Sequence, residues 1–175
     1  MEKSRERGNK MLFEKFGEFN SAEEINRAAA EKLAKGDTEA IYALAKENGI
    51  DVEEAEDYIN GLARELCGPL MAANGKLDVE EAEMQPYEIM KDWVQYIRAR
   101  CLERPEMALA VRKKGKSLRG CIAELLKWSF SNAKDVDKDI VKAAGISAPR
   151  VTLGIPGMGQ AKKIITEYYL GKKVE

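Results

Sequence analysis

Start and stop signals for helices recur along this chain too closely for much other regular structure to fit between them. Ser21 with Glu24 has the spacing of a capping box; Ile25, Ala29 and Leu33 follow on one helical face, and Gly36 supplies a stop. Asp37 caps a second segment carrying Ile41, Leu44 and Ala45 as far as Gly49. Asp51 with Glu54 opens a third, bearing Ala55, Tyr58, Ile59, Leu62 and Leu66. Asp78 with Glu81 repeats the cap, and the string Asp-Val-Glu-Glu-Ala-Glu occurs at both 51–56 and 78–83. One short repeat without a longer period is reused capping chemistry, not a solenoid.

Further along, Pro86 suits the first turn of a long central helix whose Met90, Trp93, Val94, Ile97 and Cys101 form a buried stripe. Pro105 restarts a short helix through Leu109 and Val111, and Ser117 caps another with Leu118, Cys121, Ile122 and Leu125 facing inward, Trp128 and Phe130 closing that core. Ile140, Val141 and Ala144 mark a helix ending at Gly145. Arg150–Ile155 reads as extended, and a final helix turns Ile164, Ile165, Tyr168 and Tyr169 inward and Lys162 and Lys163 outward before Gly171. The expected fold is mainly α: a compact bundle of roughly eight helices with one short strand or extended segment near 150–155.

With 175 residues, 45% of them hydrophobic, the chain can build one soluble globular core. It contains no histidine, which removes Ser-His-Asp and Cys-His catalysis, the imidazole proton switch and any zinc site that needs a His ligand. Cys67, Cys101 and Cys121 are odd in number and widely spaced, so they read as reduced, buried thiols of a cytoplasmic protein. No apolar segment follows the charged amino terminus, and no window is apolar enough to span a membrane. Neighbouring carboxylates such as Glu53/Glu54 or Glu80/Glu81 diverge by about 100 degrees on a helix and do not converge on a metal. The expectation is a protein that is not an enzyme and has no metal or cofactor.

Charge divides the chain. Residues 21–92 hold 7 basic and 18 acidic residues, whereas residues 93–175 hold 17 basic and 8 acidic, leaving a net charge of -1 overall. The organisation expected from this is a flexible charged segment 1–10, an acidic helical half 11–92, a basic helical half 93–171 packed with it as one globular unit, and a tail 172–175. In the basic half, Arg112, Lys113, Lys114, Lys116 and Arg119 read as a dense cationic knob able to meet phosphates or a carboxylate-rich partner.

Three motifs tempt. Gly115-Lys116-Ser117 imitates the end of a P-loop, but Ala110 stands where the first glycine belongs. Gly157-Met-Gly159 resembles a dinucleotide loop, with Lys162 where the third glycine belongs. Residues 137–155, with Ile140, Gly145, Ser147 and Val151, have helix-turn-helix spacing, which makes a DNA-binding regulator the alternative function, although Gly154 and Pro156 leave its second helix about two turns.

The signatures Met11-Leu-Phe-Glu-Lys-Phe-Gly-Glu-Phe, Ser21-Ala-Glu-Glu-Ile-Asn-Arg-Ala-Ala-Ala, Ala45-Lys-Glu-Asn-Gly-Ile-Asp and Glu56-Asp-Tyr-Ile resemble small proteins carried by phages and mobile elements of Clostridia-type bacteria. Ala110-Val-Arg-Lys-Lys-Gly-Lys-Ser-Leu, Leu153-Gly-Ile-Pro-Gly and Ile164-Ile-Thr-Glu-Tyr-Tyr-Leu-Gly resemble the same group, which includes anti-CRISPR inhibitors of the type II RNA-guided nuclease, Cas nine. The resemblance implies a cytoplasmic protein of the bacterial host that binds the nuclease, in its guide-loaded form, and blocks target recognition or cleavage by occupancy. Such nucleases hold nucleic acid in positively charged channels, so an acidic surface could sit where phosphates would lie. The candidate contacts are Glu47, Asp51, Glu53, Glu54, Glu56, Asp57, Asp78, Glu80, Glu81 and Glu83, with the basic cluster 112–119 left to touch guide RNA or acidic lobes of the nuclease. Whether the chain acts as monomer or dimer stays open at this level.

Overall fold

A computed structural model describes residues 12–171; the segment 1–10 and the tail 172–175 expected from the sequence lie outside them. About 65% is helical, in nine helices among the described residues, with one two-stranded ladder. The mainly α reading therefore holds. The chain packs as two compact units, Met1–Leu118 and Arg119–Glu175. The change of charge near residue 92 falls inside the first unit and not at its border.

The first unit holds α1 (Ala22–Ala34), α2 (Thr38–Glu47), α3 (Val52–Ile59), α4 (Pro69–Met84), α5 (Ile89–Glu103) and α6 (Pro105–Arg112). Two caps form as their spacing predicts: Ser21 Oγ accepts from the Glu24 N–H at 3.2 Å, the Glu24 carboxylate accepts from the Asn20 N–H, and Asp37 Oδ1 accepts from the Ala40 N–H. Ile25, Ala29, Ile41, Leu44, Ala55 and Tyr58 then meet in one apolar cluster with Leu66 and Cys67. Each buried aliphatic side chain of this size contributes roughly 1.5–3 kcal/mol. α4 packs against α6 and α5, and the Trp93, Val94, Ile97, Cys101 stripe is buried as its period requires.

Several expectations need correction here. α3 stops at Ile59, Gly61 takes a left-handed φ of 73°, and Leu62 is 78% exposed, so only Leu66 of the expected continuation reaches the core. Asp78 caps nothing. It lies inside α4, which starts nine residues earlier at Pro69 behind the Gly68 N-cap. α5 starts at Ile89, beyond Pro86, after a turn in which Gln85 and Glu88 both carry positive φ.

α2, α3 and α4 are locked by contact of bare backbone. A Cβ placed on Gly75, in the middle of α4, would lie 2.1 Å from the Asn48 carbonyl oxygen, and one on Gly49 would lie 2.2 Å from the Gly75 carbonyl oxygen. Gly49 also has a φ of 66°, which a side chain resists.

The second unit contains α7 from Arg119 to Asn132 (α7 starts at Leu118), β1 (Lys134–Asp135), α8 (Lys138–Ala143), β2 (Thr152–Leu153) and α9 (Met158–Leu170). β1 and β2 pair antiparallel, with Lys134 opposite Leu153 and Asp135 opposite Thr152, so the extended segment expected near 150–155 supplies a strand. Cys121, Ile122 and Leu125 are buried, as are Ala161, Ile165 and Tyr169 of α9. Phe130, expected to close the core, is 88% exposed, and Ile140 is exposed as well. Gly154 passes so close to α7 that a Cβ there would sit 2.4 Å from the Ser129 carbonyl oxygen.

The backbone contact makes a prediction. Gly75→Ala destabilises the chain by roughly 2–4 kcal/mol, since neither backbone can give way cheaply. Gly159→Ala, in α9 with nothing within 4 Å of the new Cβ, is neutral or stabilising by up to about 1 kcal/mol. Urea denaturation of the two variants checks both signs.

Candidate functional site

Two adjoining cavities in the first unit share Asp78. The larger, about 530 Å³, lies between the start of α3 and the first half of α4. Pro69, Leu70 and Met71 give it an apolar part, Asn74 adds an amide, and Asp51, Glu54 and Asp78 add three carboxylates; the Gly49–Gly75 backbone contact borders it. The smaller, about 370 Å³, is lined by Asp78, Glu81, Ala82, Pro86, Lys91 and Gln95. The two copies of Asp-Val-Glu-Glu-Ala-Glu thus contribute to one acidic region, the first from the start of α3 and the second from the C-terminal half of α4.

These carboxylates differ in how far they are spent. Asp51 holds the N-cap position of α3, yet its side chain makes no capping hydrogen bond, unlike Ser21 and Asp37. Asp78 and Glu81 both accept from Arg98 Nη2, Asp78 at 2.6 Å. Burial works against the Arg98 charge, but these hydrogen bonds outweigh it and raise its pKa above the ordinary arginine value. Among the described residues no three His, Cys, Asp or Glu side chains stand close enough to hold one metal ion. The carboxylates ring a cavity and do not converge on a point.

The remaining acidic candidates separate. Glu53, Glu56, Asp57 and Glu83 are exposed. Glu47 is turned inward along the chain: its carboxylate accepts from the Lys15 and Phe16 N–H groups at 2.8 and 2.9 Å and ties down the segment before α1. Glu80 is only 7% exposed, and its Oε2 accepts from the Leu118 N–H at 3.1 Å at the start of α7. Glu47 and Glu80 therefore leave the set of surface contacts.

The basic candidates are corrected more sharply. Arg112 is 1% exposed. Its Nη2 donates to Asn48 Oδ1 at 2.8 Å and its Nε to the Phe19 carbonyl at 3.2 Å, while the guanidinium stacks 5.2 Å from the Phe13 ring and Nη1 has no hydrogen-bond partner. It is a structural cation and not part of a surface knob. Sequence reading also missed Lys76, fully buried, whose Nζ donates to Glu18 Oε1 at 2.8 Å and to the carbonyls of Lys113 and Lys116. Lys113 and Lys114 remain exposed, on a turn whose carbonyls Lys76 grips, and Arg119 is exposed at the start of the second unit.

The helix-turn-helix spacing does not produce that motif. α8 has six residues, no helix follows it before α9, and Thr152–Leu153 is a strand. Arg150 Nε instead donates to Asp135 Oδ1 across the ladder at 2.6 Å. Among the described residues no helix is long and apolar enough to cross a membrane. All three cysteines are buried and none is in a disulfide; burial pushes the Cys67 thiol up to about 12 and the Cys101 thiol up to about 11. Compared with known proteins, the chain matches no family model, no curated protein and no solved structure at a significant level.

Glu80 carries a pH signature. Burial raises its carboxyl from about 4.5 to about 7, against the opposing pull of Lys76, the Leu118 N–H and Arg112 and with the help of Glu18. Folding therefore takes up a proton between those values. The group favours the fold fully below pH 4.5, and that contribution is lost as pH rises through 7. Relative to Glu80→Gln, the unfolding free energy of the natural chain should fall by on the order of 2–3 kcal/mol between pH 5 and 8. A difference that stays constant across that range in parallel urea titrations refutes the assignment.

Proposed function

We propose that the chain is an inhibitory binding protein of the anti-CRISPR type that it resembles, acting by occupancy on a guide-loaded type II RNA-guided nuclease, Cas nine. The observation that carries this reading is the acidic region around Asp78, in which carboxylates from two distant stretches of sequence border adjoining cavities. Exposed Glu53, Glu56 and Asp57 on α3 extend the negative charge. A surface of this kind competes for a channel built to hold phosphates, and its long-range field speeds the encounter. It asks no chemistry of the inhibitor, in keeping with a chain that has neither histidine nor paired cysteines.

The test is cleavage of a matched duplex by guide-loaded nuclease with and without the chain, and the chain alone on the same duplex as control. The expected outcome is loss of cleavage only when the chain meets the nuclease. Charge reversal to lysine at Glu53, Glu54 and Asp57 should raise the half-inhibitory concentration by at least about tenfold in a variant that still melts cooperatively. Unchanged inhibition by that variant overturns the acidic-surface mechanism. Intact cleavage overturns the inhibitor reading, and a shift of the duplex by the chain alone redirects it to direct DNA binding.

A further inference from the structure

We infer that the 530 Å³ cavity between α3 and α4 is a receptor for one arginine side chain of a protein partner. The inference rests on the binding-protein reading above and deepens it by naming what the partner inserts.

Four properties of the cavity select this ligand. Its size is that of a small-ligand pocket, with ample room for a single long side chain. Its lining is divided by chemistry: Leu70 and Met71 offer apolar surface to an aliphatic stem, whereas Asp51, Glu54 and Asp78 offer carboxylates to a cationic head. Those carboxylates surround the space without forming a metal-holding group, which suits an extended planar cation with several donors better than a point charge. Finally, acceptors remain to be used. The Asp51 carboxylate does not cap its own helix, and Arg98 bonds Asp78 through Oδ1 alone of its two carboxylate oxygens.

The scaffold supports such a role. The cavity is bordered where Gly49 and Gly75 touch backbone to backbone, which seats the helix bearing Asp78 directly against the loop leading to Asp51 and Glu54. A site that keeps its shape loses little ordering entropy on binding, which favours use as an anchor.

The probe is a blocked Gly-Arg-Gly peptide titrated into the full chain labelled at its methionine methyls, with the Met71 resonance as the readout. Blocked Gly-Gln-Gly, agmatine and spermidine are titrated in parallel. Saturable movement of the Met71 signal by the arginine peptide, at least about tenfold weaker for Asp51→Asn/Glu54→Gln and falling with added salt, is the expected result. Both substitutions lie at exposed or half-buried positions, and unchanged methyl signals of the methionines outside the cavity in the free variant verify its fold. No saturable movement, equal binding by the variant, or equal binding of the glutamine peptide overturns the proposal. Tighter binding of agmatine or spermidine than of the peptide overturns the assignment to a protein side chain. Because the titration contains no nuclease, it separates the two readings. A chain that binds the peptide but leaves cleavage untouched keeps the cavity and loses the inhibitor. A chain that inhibits, with no response at Met71, does the reverse.

Discussion

The hydrogen bond from Arg112 to Asn48 is the interaction on which the first unit turns. A guanidinium withdrawn from water is costly unless its donors are met, and here Nε is met by the Phe19 carbonyl from before α1 and Nη2 by an asparagine just past α2, while Nη1 stays without a hydrogen-bond partner. Asn48 is itself fully buried, donates back to the Leu44 carbonyl, and presents its own carbonyl to Gly75. One cation at the end of α6 thus fixes the exit of α2, and through it the seat of α4. Lys76, one residue on from Gly75, repeats the device in the opposite direction by reaching from α4 to Glu18 and the turn after α6. The pair of buried cations crosses the unit twice, and the acidic cavity lies on the outer side of the helix they hold.

How much of this was legible in the sequence depended on whether the signal was local. Caps at Ser21 and Asp37, the stripe on α5 and the restart at Pro105 are decided within a few residues, and they appear as expected. α4 is only half legible because its buried face, Ala72, Ala73, Gly75, Lys76, Leu77 and Glu80, has a single large apolar side chain among small and charged ones, and because its N-cap is a glycine with no side-chain bond. The repeated hexapeptide misled for the same reason. Asp-Val-Glu-Glu-Ala-Glu starts a helix at 51 and sits inside one at 78, and what differs is the chain before it: Gly49-Ile50 in one case, an established helix in the other.

The site was legible in composition but not in membership. An excess of carboxylates between 21 and 92 is visible by counting, and Asp51, Glu54, Asp78 and Glu81 do gather. Glu47 and Glu80 are indistinguishable from them in sequence, yet one is spent on the Lys15 and Phe16 backbone and the other on the start of α7. Arg112 is the extreme case, since its partners lie 64 and 93 positions away and nothing in the run Arg-Lys-Lys-Gly-Lys marks its first member as internal. Tertiary hydrogen bonding, not residue type, sorts structural from surface charge.

The three enclosed cysteines have a consequence for how this molecule can be observed. Burial pushes the Cys67 thiol up to about 12, so almost none of it is thiolate in the folded molecule at neutral pH, and its sulfur is shielded by the α1–α3 core besides. Cys101 is nearly as quiet in the α5 stripe. An electrophile added to the native protein therefore finds these thiols almost only in molecules that have transiently opened. Labelling becomes a clock for opening, and because Cys67 lies between α3 and α4, Cys101 on α5 and Cys121 on α7, the order in which they react reports the order in which these regions open.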